Sequence, residues 1–194
     1  MVDIESGSSR PPIYAKGQSV TTPNWQGALT PDGSGLVTGS PHKTLELWDT
    51  KAGALLHSFD GLAEEARAMA VSRDGLHLVV GLEDGTASIW TLDPFKPVKE
   101  LKRRGRLINS VAFSPDGARV ITSGDGSFET WDASTGQSVK ELSREDAYFT
   151  SAIYNKDATV SSRRIRQEER SPCGTLVRFR RSSGSAFRIN PSDS

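Results

Sequence analysis

The chain has 194 residues, room for one ordinary domain and hardly for two, with 24 Lys+Arg against 24 Asp+Glu and a formal net charge of zero. No apolar run approaches the roughly 18 residues of a membrane-spanning helix. The polar stretch Met1–Gly17 lacks the apolar centre of a signal peptide, and a lone cysteine, Cys173, excludes an intramolecular disulfide and paired-cysteine metal sites. These features read as an intracellular protein, cytoplasmic or nuclear, and the neutral average argues against nucleic-acid and membrane partners.

In chain order, residues 1–19 read as a flexible N-terminal segment. A partial echo, Gly17-Gln18-Ser19-Val20 against Gly136-Gln137-Ser138-Val139, marks a candidate outer strand at its end, and Trp25 reads as core or edge cover near the first inner strand. Residues 20–142 hold a repeat of about 42 residues. Asp32-Gly33, Asp74-Gly75 and Asp116-Gly117 recur 42 apart, and Trp48, Trp90 and Trp131 recur 42 and 41 apart. Each unit reads as four short strands. An apolar stretch such as Asn109–Phe113 precedes the Asp-Gly, and a second such as Leu76–Gly81 follows it. A tight turn such as Glu83-Asp84-Gly85 leads to a third strand ending in the Trp, and a fourth such as Pro97–Leu101 closes the unit. Glycine takes the positive φ that these turns need and Asp caps its own turn, which is hairpin chemistry. No segment sustains a helical period, so the chain reads as all-β.

The segments SVAFSPDGARVITSGDGSFETWDASTG and SGLVTGSPHKTLELWDTKAG resemble blades of the WD-repeat β-propeller family, with motif, spacing and strand order agreeing over residues 26–142. The resemblance implies a partial WD-repeat propeller of four-stranded antiparallel blades. It also implies that Trp48, Trp90, Trp131, Asp84 and Asp125 are structural. In the family a His, a Ser/Thr, a turn Asp and the Trp brace each blade through hydrogen bonds. Here the first unit has Pro41-His42-Lys43 in place of the turn Asp, and the His positions hold Leu62, Arg104 and Glu145. The incomplete brace predicts modest stability.

Residues 143–194 read as a degenerate fourth blade with an inserted basic loop at about Arg163–Cys173, or as a disordered basic tail. In the blade reading Tyr154 aligns with Phe113, and Phe179 takes the Trp place. The neutral average hides an asymmetry, because residues 163–194 carry eight arginines, no lysine and three acids, leaving the rest of the chain acidic.

Nothing in the sequence points to catalysis, a cofactor or a metal. His42, His57 and His77 lie in separate units without ligand spacing, and neither a G-x-x-x-x-G-K-[ST] phosphate loop nor a G-x-S-x-G elbow occurs. The recurring Asp-Gly pairs mark turns. The resemblance instead implies a binding rim, where the loops between blades join the loops between second and third strands. On that rim the sequence places Lys102, Arg103, Arg104 and Arg106 from one connector, and Arg163, Arg164 and Arg166 from the inserted loop. Such a cluster would attract an acidic or phosphorylated protein segment or a nucleic-acid backbone, and without interleaved aromatics it does not indicate stacking on single-stranded nucleic acid, so a protein partner is the expected one.

The expected function is a non-catalytic protein–protein interaction scaffold binding through rim loops. The alternative is a fragment, or the regulatory propeller portion, of a larger enzyme or signalling protein. Closed propellers have 4–8 blades, so three or four leave open faces. A longer propeller, a second copy or another chain completing the ring, or closure as a small ring would each cover them, and the first is favoured because the last unit degrades.

Overall fold

A computed structural model describes residues 26–40, 42–102, 107–155, 160–166 and 186–187, and every regular element among them is a β-strand. The first sheet takes β1 (Gln26–Leu29), β2 (Gly35–Gly39), β3 (Thr44–Asp49) and β4 (Ala54–Asp60) in chain order, each antiparallel to the next. The second repeats the arrangement with β5 (Ala66–Val71), β6 (His77–Leu82), β7 (Thr86–Leu92) and β8 (Phe95–Lys102). A third sheet holds β9 (Ile108–Phe113), β10 (Arg119–Asp132), β11 (Ser138–Tyr154), β12 (Val160–Arg166) and β13 (Ala186–Phe187).

This third sheet is two units run together. The first half of β10 pairs with β9, from Val120↔Phe113 to Gly124↔Ile108. The second half doubles back beside the first, since Ala133 N–H donates to the Ala118 carbonyl at 2.9 Å and the Trp131 indole donates to Thr122 Oγ1 at 3.0 Å. It then pairs with Ser138–Ser143, the outer part of a third four-stranded unit. The far half of β11 turns inward, pairs with β12, and adjoins β9, where Ala152 N–H donates to Ser110 Oγ at 3.3 Å. Inner strands β1, β5, β9 and the far half of β11 therefore lie side by side in chain order.

The turn after each inner strand explains the recurring Asp-Gly. Thr30, Ser72 and Ser114 donate their hydroxyls to Asp32, Asp74 and Asp116 at 2.6, 2.5 and 2.5 Å. The same hydroxyls accept the amides of Gly35, His77 and Arg119 at 2.8, 2.9 and 2.9 Å, opening the second strand. Gly33, Gly75 and Gly117 sit at φ 70, 76 and 73°, where a side chain is strained. The donated hydrogen bonds lower the carboxyl pKa values. Thr30 and then Ser34 bring Asp32 to about 2, and Ser72 and Ser114 likewise lower Asp74 and Asp116. Asp132 plays the same part in the turn after Trp131, held at about 2 first by Ser134.

Between units the sheets pack face to face. Val37, Leu45 and Leu47 of the first cluster with Leu78, Val80 and Trp90 of the second. Phe59 meets the Trp90 ring edge-on, with centroids 4.6 Å apart at 78°. Val79, Ala87, Ile89 and Leu101 of the second unit cluster with Ile108, Val111, Val120 and Trp131 of the third. Two glycines permit this approach. A Cβ on Gly81 would lie 2.5 Å from Ile108 Cγ2 and 3.0 Å from Val111 Cγ1, and one on Gly39 would lie 2.9 Å from the Ala66 Cβ.

The third interface differs. Ile121 and Phe128 meet Ala152, Val160 and Tyr154, but Ser123 replaces the close-approach glycine and Thr130 stands where Leu47 and Ile89 stand. At the place that Val111 holds in the preceding interface, this one has the smaller Ala152. The hydroxyls of Ser123, Thr130 and Tyr154 are buried here without a hydrogen-bond partner of good geometry, although Thr130 lies near enough to Tyr154 to interact with its phenol. Burial pushes the Tyr154 phenol up to about 12. Each unsatisfied hydroxyl makes this interface less favourable than the two apolar ones.

Gly81→Ala should destabilise the fold by about 1–3 kcal/mol through overpacking, read as a lower denaturation midpoint with unchanged slope. Stability should also fall in acid. A carboxylate with a depressed folded pKa contributes stability that is fully present above its unfolded value and is lost as pH drops through the folded one. Thermal melts should hold steady above about pH 5 and decline between about pH 4 and 2, and the double change Asp32→Asn, Asp132→Asn should flatten that decline.

Candidate functional site

The turns between second and third strands and the connectors between units share one rim. Lys102, ending β8, pairs with Thr86, which opens β7 just after the Glu83–Gly85 turn. Ile108, opening β9, pairs with Gly124 at the fold of β10, and Ala147 pairs with Arg166, the last residue of β12. Glu83 N–H donates to the Glu65 carbonyl at 3.0 Å, joining the second unit's turn to the connector before it.

The three tryptophans brace the units by a shorter route than the resemblance implied. Trp48 donates to Thr38 Oγ1 at 3.0 Å, Trp90 to Ser88 Oγ at 2.8 Å and Trp131 to Thr122 Oγ1 at 3.0 Å. A hydroxyl on the same or the adjacent strand satisfies each indole, so a buried N–H needs no His or Asp. Asp84 is exposed and caps its own turn, accepting from Thr86 N–H at 2.9 Å and Thr86 Oγ1 at 2.7 Å. Asp125 stands at the fold of β10, its backbone opposite Tyr148.

The first unit, which lacks the turn Asp, uses Lys43 instead. Lys43 sits at φ 61°, a conformation usual for glycine. Its carbonyl accepts from Gly61 and Leu62 N–H, and its ammonium donates to the Ala63 carbonyl at 2.8 Å and lies 3.1 Å from Glu64. These bonds fasten the turn to the neighbouring connector. Half-exposed ion pairs contribute little alone, so the backbone bonds carry most of the link.

Lys102 is exposed on the rim, 3.5 Å from Glu100. Arg103, Arg104 and Arg106 lie outside the described residues. The inserted loop expected from Arg163 is not a loop at its start, because Val160–Arg166 is strand β12, paired along the far half of β11. Arg163 stands opposite Ser151 and Arg164 opposite Phe149, within the sheet, and only the Arg166 end reaches the rim. Backbone pairing with β11 satisfies this segment's peptide groups whatever its side-chain charge. The aromatic expected at Phe179 also lies outside the described residues, whereas Phe187 pairs with Val160. That register is the one Trp48 has with Leu36 and Trp90 with Leu78.

Sequence reasoning missed the other half of the rim's charge. Glu64 and Glu65 lie on it beside Lys43, one connector before Lys102, and Glu83 and Asp84 lie in the turn next to Lys102 itself. Equal spacing gives the signal, since Glu64 stands 42 residues before Arg106, one repeat length earlier in the preceding connector. It also missed one bulge in each of the three inner strands that follow β1. The register slips past Arg67, Asn109 and Thr150, which are spaced 42 and 41 apart near the rim. A bulge re-aims one residue out of the ladder. Among the described residues no group of three or more His, Cys, Asp or Glu is placed to hold a metal ion, and no helix is long and apolar enough to cross a membrane.

Residues 53–91 and 95–132 match the family model described as WD domain, G-beta repeat. The chain carries WD40 repeats. Each matched WD40 segment begins on or beside an outer strand and ends with the third strand of the next unit, β4 to β7 and β8 to β10. One sequence repeat thus spans two sheets. The chain is 31% identical over 116 residues to pre-mRNA-processing factor 19 homolog 2 of Arabidopsis thaliana, covering 60% of this chain and 21% of that protein. It is 34% identical over 101 residues to WD repeat-containing protein 36 of Homo sapiens, covering 52% and 11%. It is 28% identical over 118 residues to small ribosomal subunit protein RACK1y of Oryza sativa subsp. japonica, covering 61% and 35%. The chain therefore spans about a third or less of these relatives.

Thr122→Val should leave the Trp131 indole buried without an acceptor and destabilise the protein by about 1–3 kcal/mol. Thr122→Ser should restore most of that, with both read from chemical denaturation.

Proposed function

We propose that the chain is a non-catalytic protein-interaction module of WD-repeat type, contacting partners through the rim. The observation that carries this reading is the convergence of connectors and turns on that rim, held by sheets that pack face to face with Trp90 and Trp131 between them. WD-repeat relatives support the class of function. The partner segment is acidic or phosphorylated, drawn to Lys102 and the Arg103, Arg104 and Arg106 that follow it in the chain. Glu64 and Glu65 on the preceding connector, with Glu83 and Asp84 in the turn beside Lys102, give the contact polarity, repelling the same segment in the wrong register. No nucleic-acid or membrane partner and no cofactor are part of the proposal. A second reading, the regulatory propeller portion of a larger enzyme or signalling protein, is favoured by the short span of the chain against its relatives.

Fluorescence titration with an acidic, phosphorylated peptide tests the rim. Affinity should fall on raising salt past about 0.1 M, where charges are screened beyond roughly 10 Å. Replacing Lys102, Arg103, Arg104 and Arg106 by Ser should weaken binding about tenfold or more, equivalent to about 1.4 kcal/mol. Replacing Arg163 and Arg164 should have a smaller effect. Unchanged affinity in the fourfold variant would overturn the proposal.

A further inference from the structure

We infer that Arg67 is a second anchor on the rim, so that the segment bound there carries two anionic groups about four residues apart. This rests on the rim being the contact surface. A bulge in β5 leaves Arg67 out of the ladder, since Ala66 pairs with Leu82 and Ala68 with Gly81. Ala66 packs with the first unit and Ala68 with the third, and Arg67 belongs to neither cluster. It is nonetheless partly buried. Among the described residues its side chain has no hydrogen bond or ion pair, although Glu65 stands two residues before it and Glu83 is bonded to that connector. Asn109, at the same bulge in β9, does have a partner. A guanidinium drawn partly out of water with no acceptor in the fold is available to an outside anion. Its planar fork suits a carboxylate or a phosphate.

The second unit fixes how far this anchor lies from the other. Strands β5, β6, β7 and β8 are neighbours in that order. At the rim Ala66 pairs with Leu82, the turn between β6 and β7 follows, and Thr86 pairs with Lys102. Arg67 and Lys102 thus stand at the inner and outer ends of one rim edge, three strand spacings apart. At about 4.8 Å per spacing the backbone separation is roughly 14 Å. An extended peptide covers that in about four residues at ~3.3 Å each. Glu83 and Asp84 lie exposed in the turn between the two ends, so the residues between the anions are neutral or basic. A segment acidic throughout is repelled at that turn, and one with a single anion reaches only one end. The ligand class is therefore narrower than an acidic segment: two carboxylates or phosphates held apart by a spacer without negative charge.

Fluorescence anisotropy on the full chain tests this with peptides bearing two phosphoserines about four residues apart around a neutral spacer. Companion peptides replace either phosphoserine by alanine, or both by glutamate. The two-phosphoserine peptide should bind about tenfold tighter than either single one, and moving the two phosphoserines next to each other should remove most of that gain. Arg67→Gln should weaken the two-anion peptide about tenfold and change the single-anion peptides by less than about twofold. Its chemical-denaturation midpoint should match the wild type, because the guanidinium holds nothing within the fold. Equal binding of the glutamate peptide assigns a carboxylate, and a preference for phosphoserine that fades below about pH 6 assigns a phosphate. If Arg67→Gln weakens single- and two-anion peptides alike, or none of them, while the fourfold Ser variant still loses binding, the second anchor is overturned and the rim reading stands. If the wild-type chain binds none of these peptides, both are overturned.

Discussion

No unit of this fold can bury both of its faces alone. A four-stranded antiparallel sheet has an apolar row on one side, Val71–Leu78–Trp90 in the second unit, and an apolar socket on the other, Val79, Ala87 and Ile89 in the same unit. The row is useful only against the socket of the unit before it. That mutual dependence sets everything else. It explains why the tryptophans recur at nearly constant spacing. It explains why glycine stands at 39 and 81, where the next inner strand presses closest. It also explains why the WD40 sequence repeat straddles two sheets, so that one stretch of chain supplies the outer strand of one unit and three strands of the next.

Much of this was legible in the sequence. The Asp-Gly pairs and the Trp column located the strands of the first three units within a residue or two, because turn chemistry and a large indole leave strong local marks. The last unit was harder to read, since its information is not local. Arg163, Arg164 and Arg166 look like a solvated loop, and charge dominates a reading that cannot see the far half of β11 waiting to pair with them. Phe187, the residue in register with the Trp column, sits far along the chain from Val160, beyond any fixed spacing. The bulges at Arg67, Asn109 and Thr150 left a periodic trace, but one that only pairing registers reveal. Lys43 was invisible for another reason. A lysine at positive φ contradicts its own propensity, and it is tolerated where bonds to Gly61, Leu62 and Ala63 hold it.

The three interfaces are not equivalent. The first two are apolar, while the third carries Ser123, Thr130 and Tyr154 with unsatisfied hydroxyls. Local opening should therefore begin at the last unit, where these buried hydroxyls weaken the packing. The rim built on these units is graded in another sense. In sequence, the connector after the first unit carries Glu64 and Glu65 where the next carries Lys102, Arg103, Arg104 and Arg106, and the proposed contact would use that change of sign to set orientation. Both gradients follow from substitutions at equivalent positions in a repeated scaffold, which is how a uniform fold acquires a particular surface.

The claim on which all this rests is that neighbouring units hold each other through the tryptophan row. A double-mutant cycle on Leu47 and Trp90, using Leu47→Ala and Trp90→Leu with stability from chemical denaturation, measures it directly. The account predicts a coupling of about 0.5–3 kcal/mol, as for side chains in contact. Additive effects of the two changes would contradict it.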